Sequence, residues 1–454
     1  MLQGFFIDKL PPHFQKLLKK TSDCAIMHSI IKNTNGVTMK YYDENNLAII
    51  ACPAGKNFAD ATIKHLERLS ATKFNRRLTS LSKRYGMDRK EIIRQLNFSS
   101  DLESPKMPNH KSLDKIAKPN FSVKARFTYF VNGEFKTEIL ESIRGRDVYI
   151  FQDVENHTPV AVNDENDKHC FSVNDNLLSL IVTIDAARHA GANSINLVLP
   201  AFPYSRQHKK KGREGLTASL LSHVYELLNV NYIITLDIHS REIENAFHDC
   251  LLQNLHASFQ IISELAKIID LTENSTEDLV VVAPDSGAVD RNKFYATGLK
   301  KPLAMLYKER DYSVVSVNAK QNNIVTMNLL GDVRGKTAFL ADDMLGTGGT
   351  LLKAFEFLKN EGAQKVIAAI SLPLFNGNAI AQFDEAYSKG LFYRIIGTNA
   401  VYHDELKKRE WYIESDVSGL FAQTIFRMHN HDSVSSLLDN REIIKKTLEN
   451  AAKK

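Results

Sequence analysis

The stretch Ala338 to Leu352, AFLADDMLGTGGTLL, limits what this chain can fold into more than any other. Ala338 to Ala341 suit a buried strand, whereas Leu351, Phe355 and Leu358 recur at helical spacing until Gly362 offers a stop. A strand-to-helix corner must lie between them. Gly346, Gly348 and Gly349 open backbone conformations that bulkier residues resist, so successive N–H groups can converge on an anion at the helix N-terminus. Thr347 and Thr350 add hydroxyl donors. Asp342 and Asp343 would repel a phosphate, so they suit hydrogen bonds from hydroxyls or a hard cation. A phosphorylated sugar meets both needs. No lysine follows Gly349, which excludes the nucleotide loop ending in Gly-Lys-Ser/Thr, and no Rossmann fingerprint occurs.

The same strand-to-helix alternation runs through the chain. Strand-like runs fall at Leu47–Ala51, Val148–Phe151, Ile195–Leu199, Tyr232–Leu236, Leu279–Val282, Ala338–Ala341 and Val366–Ile370. This spacing predicts parallel α/β sheets, in which ligands bind at the carboxyl edge. Thr217–Leu228 reads as a helix whose inner face is Leu220, Leu221, Val224, Leu227 and Leu228. A length of 454 residues accommodates two domains with additions. Residues 1–45 precede the first strand, and about 71–122 form a polar, basic interval, loop-like from Asn97 to Pro119, with one short helix over Asp88–Leu96. Both are read as accessory structure or an oligomer contact rather than a nucleic-acid module. Glu442 to Lys454 reads as an exposed helix or frayed tail.

A formal charge of +5 is small for this length and implies neither nucleic acid nor a membrane surface. Cys24, Cys52, Cys170 and Cys250 are too scattered for a zinc site or a disulfide framework, which points to free thiols in a reducing cytoplasm. The N-terminus lacks the pattern of a secretion signal, and no apolar run reaches the roughly 20 residues that span a membrane.

Chemistry-bearing residues recur just after the strands. Pro200 to Leu221 carries an aromatic turn followed by Arg206, Gln207, Lys209, Lys210, Lys211 and Arg213, a basic loop able to clamp several phosphates. YIITLDIH places Asp237 and His239 beyond one strand, and LVVVAPDSGAVDR places Asp285 beyond another. With the acids of the opening loop these are candidate ligands for a divalent metal carrying phosphates. MLYKER ends an apolar segment with Lys308, Glu309 and Arg310, cations of the kind phosphoryl transfer requires.

Taken in order, FVNGEF (Phe130 to Phe135), RGRDVYIFQ (Arg144 to Gln152), FPYSRQ, REGLTA, LDIHS, PDSG, YKER, DDMLGTGGT and RMHNHDSVSSLL (Arg427 to Leu438) resemble the ribose-phosphate pyrophosphokinase family. The loop DDMLGTGGT by itself resembles that of phosphoribosyltransferases as well. The resemblance covers roughly Leu47 to Leu438, apart from the interval 71–122. It implies an α/β chain with two phosphoribosyltransferase-like domains, each a mainly parallel sheet flanked by helices. The implied divisions are an extension at 1–45, an ATP-side domain at 46–260, a ribose 5-phosphate domain at 261–425 and a C-terminal segment at 426–454.

The resemblance further implies transfer of the β,γ-diphosphoryl group of ATP to the C1 hydroxyl of ribose 5-phosphate, with Mg²⁺, releasing AMP. Carried over by position, Phe130, Asn132, Glu134, Arg206, Gln207 and Lys209 contact ATP, the first three from a neighbouring subunit of a homo-oligomer, a dimer or hexamer. His239 and Asp285 hold the metal, and Lys308 and Arg310 stabilise the group in flight. Asp342 and Asp343 hold the ribose hydroxyls, while Gly346, Thr347, Gly348, Gly349 and Thr350 hold the 5-phosphate. Three positions depart from the family pattern: Gly346 and His208 stand where acids are usual, and Gln253 stands near a position often acidic. The alternatives are a phosphoribosyltransferase and a non-catalytic regulatory paralogue.

Overall fold

The computed structural model describes residues 46–103, 119–210, 212–271, 278–310 and 325–445, of which 100–103, 308–310 and 325–326 are described by backbone alone. The strands are β1 (Leu47–Ala51), β2 (Ala125–Tyr129), β3 (Phe135–Ile139), β4 (Asp147–Phe151), β5 (Val160–Ala161), β6 (Lys168–His169), β7 (Ser194–Val198), β8 (Tyr232–Leu236) and β9 (Leu251–Leu255). They continue as β10 (Leu279–Ala283), β11 (Leu303–Arg310), β12 (Val325–Leu330), β13 (Thr337–Leu345), β14 (Lys365–Pro373), β15 (Arg394–Thr398) and β16 (Tyr412–Ser415). The helices are α1 (Lys56–Tyr85), α2 (Arg89–Glu103), α3 (Val173–His189), α4 (Thr217–Leu227), α5 (Ser258–Ile268), α6 (Val289–Leu299), α7 (Gly349–Asn360), α8 (Ala379–Ser388), α9 (Ser418–His429) and α10 (Ser435–Leu438).

Two sheets result. The first has order β1-β4-β7-β8-β9 with every pair parallel, and the second has order β12-β11-β10-β13-β14-β15-β16 with only the β11–β12 pair antiparallel. Parallel strands covered on both faces have no wet side, which is why they read as continuous apolar runs. One face of each sheet contributes to a single shared core: Ile49, Phe151 and Ile234 from the first join Val281, Phe339 and Ile367 from the second, with Phe58 of α1, Ile262 of α5 and Phe421 of α9. The outer faces form separate cores beneath α7 and α8 on one side and α3 and α4 on the other. The two sheets are therefore held by packing, and the carboxyl ends of β8 and β13 meet, as the contact between His239 and Asp343 records.

Three local expectations need correction. The stretch read as loop-like from Asn97 begins as helix: α1 continues to Tyr85, stops at Gly86 in the left-handed region (φ 64°), and α2 then runs from Arg89 through Asn97 to Glu103. The polar residues of α1 fit a helix because Thr72, Thr79 and Ser80 return their hydroxyls to carbonyls four residues back. The buried face of α4 is Ala218, Leu221, Ser222 and Tyr225, while Leu220 and Leu227 are 60% and 79% exposed. Ser222 is the residue that misleads, since its hydroxyl is buried by bonding the Ser219 and Ala246 carbonyls. Finally, β13 does not stop at Ala341 but carries both acids within it and ends at Leu345. Residues 1–45, 104–118 and 446–454 lie outside the described residues.

Candidate active site

The site begins at the carboxyl end of β8, where Asp237 takes a left-handed backbone (φ 41°) that Asp tolerates better than most side chains. Its buried carboxylate accepts from His256 Nδ1 (2.9 Å), the Ala257 N–H (3.1 Å) and the Ser371 hydroxyl (2.6 Å), and pairs with Arg291 at 3.3 Å. Burial alone would raise its pKa, but these hydrogen bonds and the Arg291 charge outweigh it and hold the group far below the usual carboxylate range. Asp237 is thus a structural knot between the halves, since Ser371 and Arg291 belong to the second sheet's elements.

Two residues on, His239 Nδ1 lies 2.6 Å from Asp343 Oδ2. The Asp343 N–H in turn donates to Asp342 Oδ1 at 2.9 Å. Burial and the adjacent Asp343 charge push Asp342 well above the usual range, whereas the His239 bond and Arg291 overcome burial and keep Asp343 below it. The pair sets two carboxyl groups side by side to meet neighbouring hydroxyls. The backbone under the pair is fixed by Asn292, fully buried on α6, which accepts from the Ala341 N–H (2.9 Å) and donates to its carbonyl (2.8 Å).

After β13 the chain turns through Gly346–Gly348 into α7. Gly348 sits at φ 76°, and a Cβ there would lie 2.3 Å from the Phe383 ring. Both backbone and space demand glycine. Gly349 and Thr350 open α7, so their N–H groups belong to its unsatisfied first turn.

The basic loop faces this corner from the other half. Arg206 and Gln207 line a cavity of about 440 Å³ together with Glu155, Tyr204, Met344 and Leu372. Gln207 accepts from Thr217 (2.6 Å), Lys209 pairs with Glu242 (3.1 Å), and the His208 ring meets the His239 ring at 5.3 Å. Arg206, Gln207, His208, His239, Asp342 and Asp343 therefore form one continuous surface. Phe130, Asn132 and Glu134 are not part of it. They occupy the exposed β2–β3 hairpin tip, closed by the Phe130 and Gly133 N–H bonds, with Val131 fully open to solvent. The side chains of Lys308 and Arg310, at the end of β11, lie outside the described residues.

The metal candidates divide. His239 has one ring nitrogen committed to Asp343, and Asp285 Oδ1 caps the turn before α6 by accepting from the Ala288 N–H at 3.0 Å. Among the described residues no three His, Cys, Asp or Glu side chains gather as a cage. Such a sparse donor set fits Mg²⁺, which keeps several waters and leans on one or two protein groups plus substrate phosphates. Reading the sequence missed Arg291 and Asn292 as supports of the acids, and Glu155 and His157 in the cavity wall. Arg291 is the lone cation of the PDSGAVDR stretch, and its place after Asp285 and Asp290 was the signal available for it.

Two family models match separate parts of the chain. One described as the N-terminal domain of ribose phosphate pyrophosphokinase matches residues 114–228, and one described as the phosphoribosyl transferase domain matches residues 251–406. Ribose-phosphate pyrophosphokinase 2 of Schizosaccharomyces pombe is 35% identical over 328 residues, 72% of this chain and 90% of its own length. Ribose-phosphate pyrophosphokinase of Staphylococcus saprophyticus is 35% identical over 311 residues, 68% of this chain and 87% of its own. The crystal structure of phosphoribosylpyrophosphate synthetase from Mycobacterium smegmatis shares the fold, with a TM-score of 0.61 at 24% identity, covering 85% of this chain and 99% of that one.

Proposed function

The chain belongs to the ribose-phosphate pyrophosphokinase family, and from that membership we propose how its residues divide the work of moving the β,γ-diphosphoryl group of ATP to the C1 hydroxyl of ribose 5-phosphate. AMP and 5-phosphoribosyl 1-pyrophosphate are the products. The observation that carries the assignment of roles is the 2.6 Å contact of His239 with Asp343, because it joins the carboxyl end of β8 in one half to the acid pair of the other.

Asp342 and Asp343 take the ribose hydroxyls through their carboxyl oxygens. Gly346 to Thr350 take the 5-phosphate through the first-turn N–H groups of α7 and two hydroxyls. Arg206, Gln207 and Lys209 line the nucleotide side, and Phe130, Asn132 and Glu134 reach a neighbouring subunit's nucleotide from the exposed hairpin tip of a homo-oligomer. Lys308 and Arg310, on β11 beside β10, supply positive charge where the diphosphoryl group travels. This chemistry asks for positioning and electrostatics more than for covalent help. His239 and Asp285 would hold Mg²⁺, which supplies charge neutralisation on the ATP phosphates when bound.

The proposed domains at 46–260 and 261–425 each carry one of the two large sheets, with the division near 260 falling within α5 and that near 425 within α9. Among the described residues no helix is long and apolar enough to cross a membrane, and the described cysteines are free, in keeping with a reducing cytoplasm. The test is direct. Purified protein with Mg²⁺, ATP and ribose 5-phosphate should yield AMP and phosphoribosyl pyrophosphate in equal amounts; absence of AMP at every phosphate concentration would refute the reading. A phosphoribosyltransferase would instead consume phosphoribosyl pyrophosphate with a free base.

A further inference from the structure

We propose that Arg206 serves the sugar-phosphate loop as well as the nucleotide loop, and that Gly346 is the position that admits it there. The inference rests on the functional reading above and deepens it.

A glycine is retained either for its backbone or for its space. Gly348 needs both, as its positive φ and its contact with Phe383 record. Gly346 differs. Its φ lies outside the left-handed region, so any residue would suit its backbone, and its carbonyl merely accepts the Asn376 N–H at 3.1 Å. What a side chain there would meet is Arg206: a Cβ on residue 346 would lie 3.3 Å from both terminal guanidinium nitrogens, and 3.5 Å from Asn376 Oδ1. The missing side chain is therefore the seat of a cation that belongs, by sequence, to the other half of the molecule.

That cation is uncommitted. Its neighbours His208 and Lys209 face Glu242 at 3.9 and 3.1 Å, and Glu155 in the same cavity faces His157 at 3.8 Å. Among the described residues Arg206 itself has no hydrogen-bond or ion-pair partner. A guanidinium presents several donors in a planar fork suited to phosphate oxygens. Placed against the backbone of the loop that leads into α7, it adds a charge-assisted pair to the N–H groups already aimed at the 5-phosphate. With no side chain at 346, no carboxylate neutralises it there. One residue thus touches both substrates' sites and makes occupancy of each depend on the other.

Titrating ribose 5-phosphate into the full-length protein without nucleotide tests this, using wild type, Arg206→Ala, Gly346→Ala and the double variant. Each single substitution should weaken sugar-phosphate binding roughly tenfold, the first by removing the donor and the second by displacing it. The double variant should bind no more weakly than Arg206→Ala, because Gly346→Ala acts only through Arg206. An Arg206→Ala protein with unchanged affinity for ribose 5-phosphate would overturn the inference, as would losses that multiply in the double variant. If Gly346→Ala does not fold, judged by its thermal transition, the Arg206→Ala titration still decides. Failure of the functional reading looks different: wild type would release no AMP from ATP and ribose 5-phosphate.

Discussion

At the scale of single residues, the site depends on buried charges that answer one another. Asp237 holds Arg291, and Arg291 sits near enough to Asp342 and Asp343 for their charges to raise its own pKa. Asp237→Asn keeps the shape and removes the charge, leaving Arg291 uncompensated, and should lower unfolding free energy by about 3 kcal/mol in urea titrations at pH 7. The pH dependence has a definite sign. A carboxylate held below its unfolded pKa stabilises the fold above about pH 4, and that contribution is lost as pH falls further. Wild type should therefore lose stability more steeply than Asp237→Asn on acidification from about pH 4. Equal slopes would remove Asp237 from the account. The acids and His239 were legible in the sequence because each follows an apolar run, whereas the knot around Asp237 was not, since His256, Arg291 and Ser371 meet only after both sheets have formed.

At the scale of elements, the corner from β13 to α7 was the clearest signal in the chain, and it occurs where the spacing placed it. Its detail was less legible. The acids lie inside the strand because β13 keeps pairing with β14 through Met344 and Leu345, opposite Leu372 and Pro373, and nothing in the local residues announces that extension. The glycines also looked alike as letters but differ in space. Gly348→Ala forces a side chain into Phe383 at a left-handed φ, and should cost roughly 3 kcal/mol of stability. At Gly349 a Cβ would find nothing within 4 Å, so Gly349→Ala should shift the thermal midpoint little. Comparable losses at both positions would contradict this geometry. The long helix α1 escaped notice for the opposite reason: beyond Ser70 it buries little besides Leu78, so no apolar period marks it.

At the scale of the whole molecule, the two sheets act as one body through a shared core and a few polar ties. One tie is Asp153, buried at the end of β4, which accepts the Tyr402 N–H at 3.0 Å from across the halves and the Glu155 N–H at 3.1 Å. Burial pushes its pKa up to about 7 against those two bonds. Here the sign reverses. Between about pH 4 and 7 the folded chain holds a proton that the unfolded chain has lost, so this group's contribution declines as pH rises through that window and is gone above it. Asp153→Asn should flatten that part of the stability profile, measured as urea midpoints at pH 5 and 8; an unchanged profile would show that Asp153 stays ionised.

The same joining of halves underlies the central claim, that a nucleotide on one side gives two phosphoryl groups as a unit to a sugar on the other. ATP labelled at the β-phosphorus resolves this in one assay with Mg²⁺ and ribose 5-phosphate. The account predicts label in phosphoribosyl pyrophosphate, with unlabelled AMP formed mole for mole. Label retained in ADP would mean that only the γ-phosphoryl group had moved, and would contradict it.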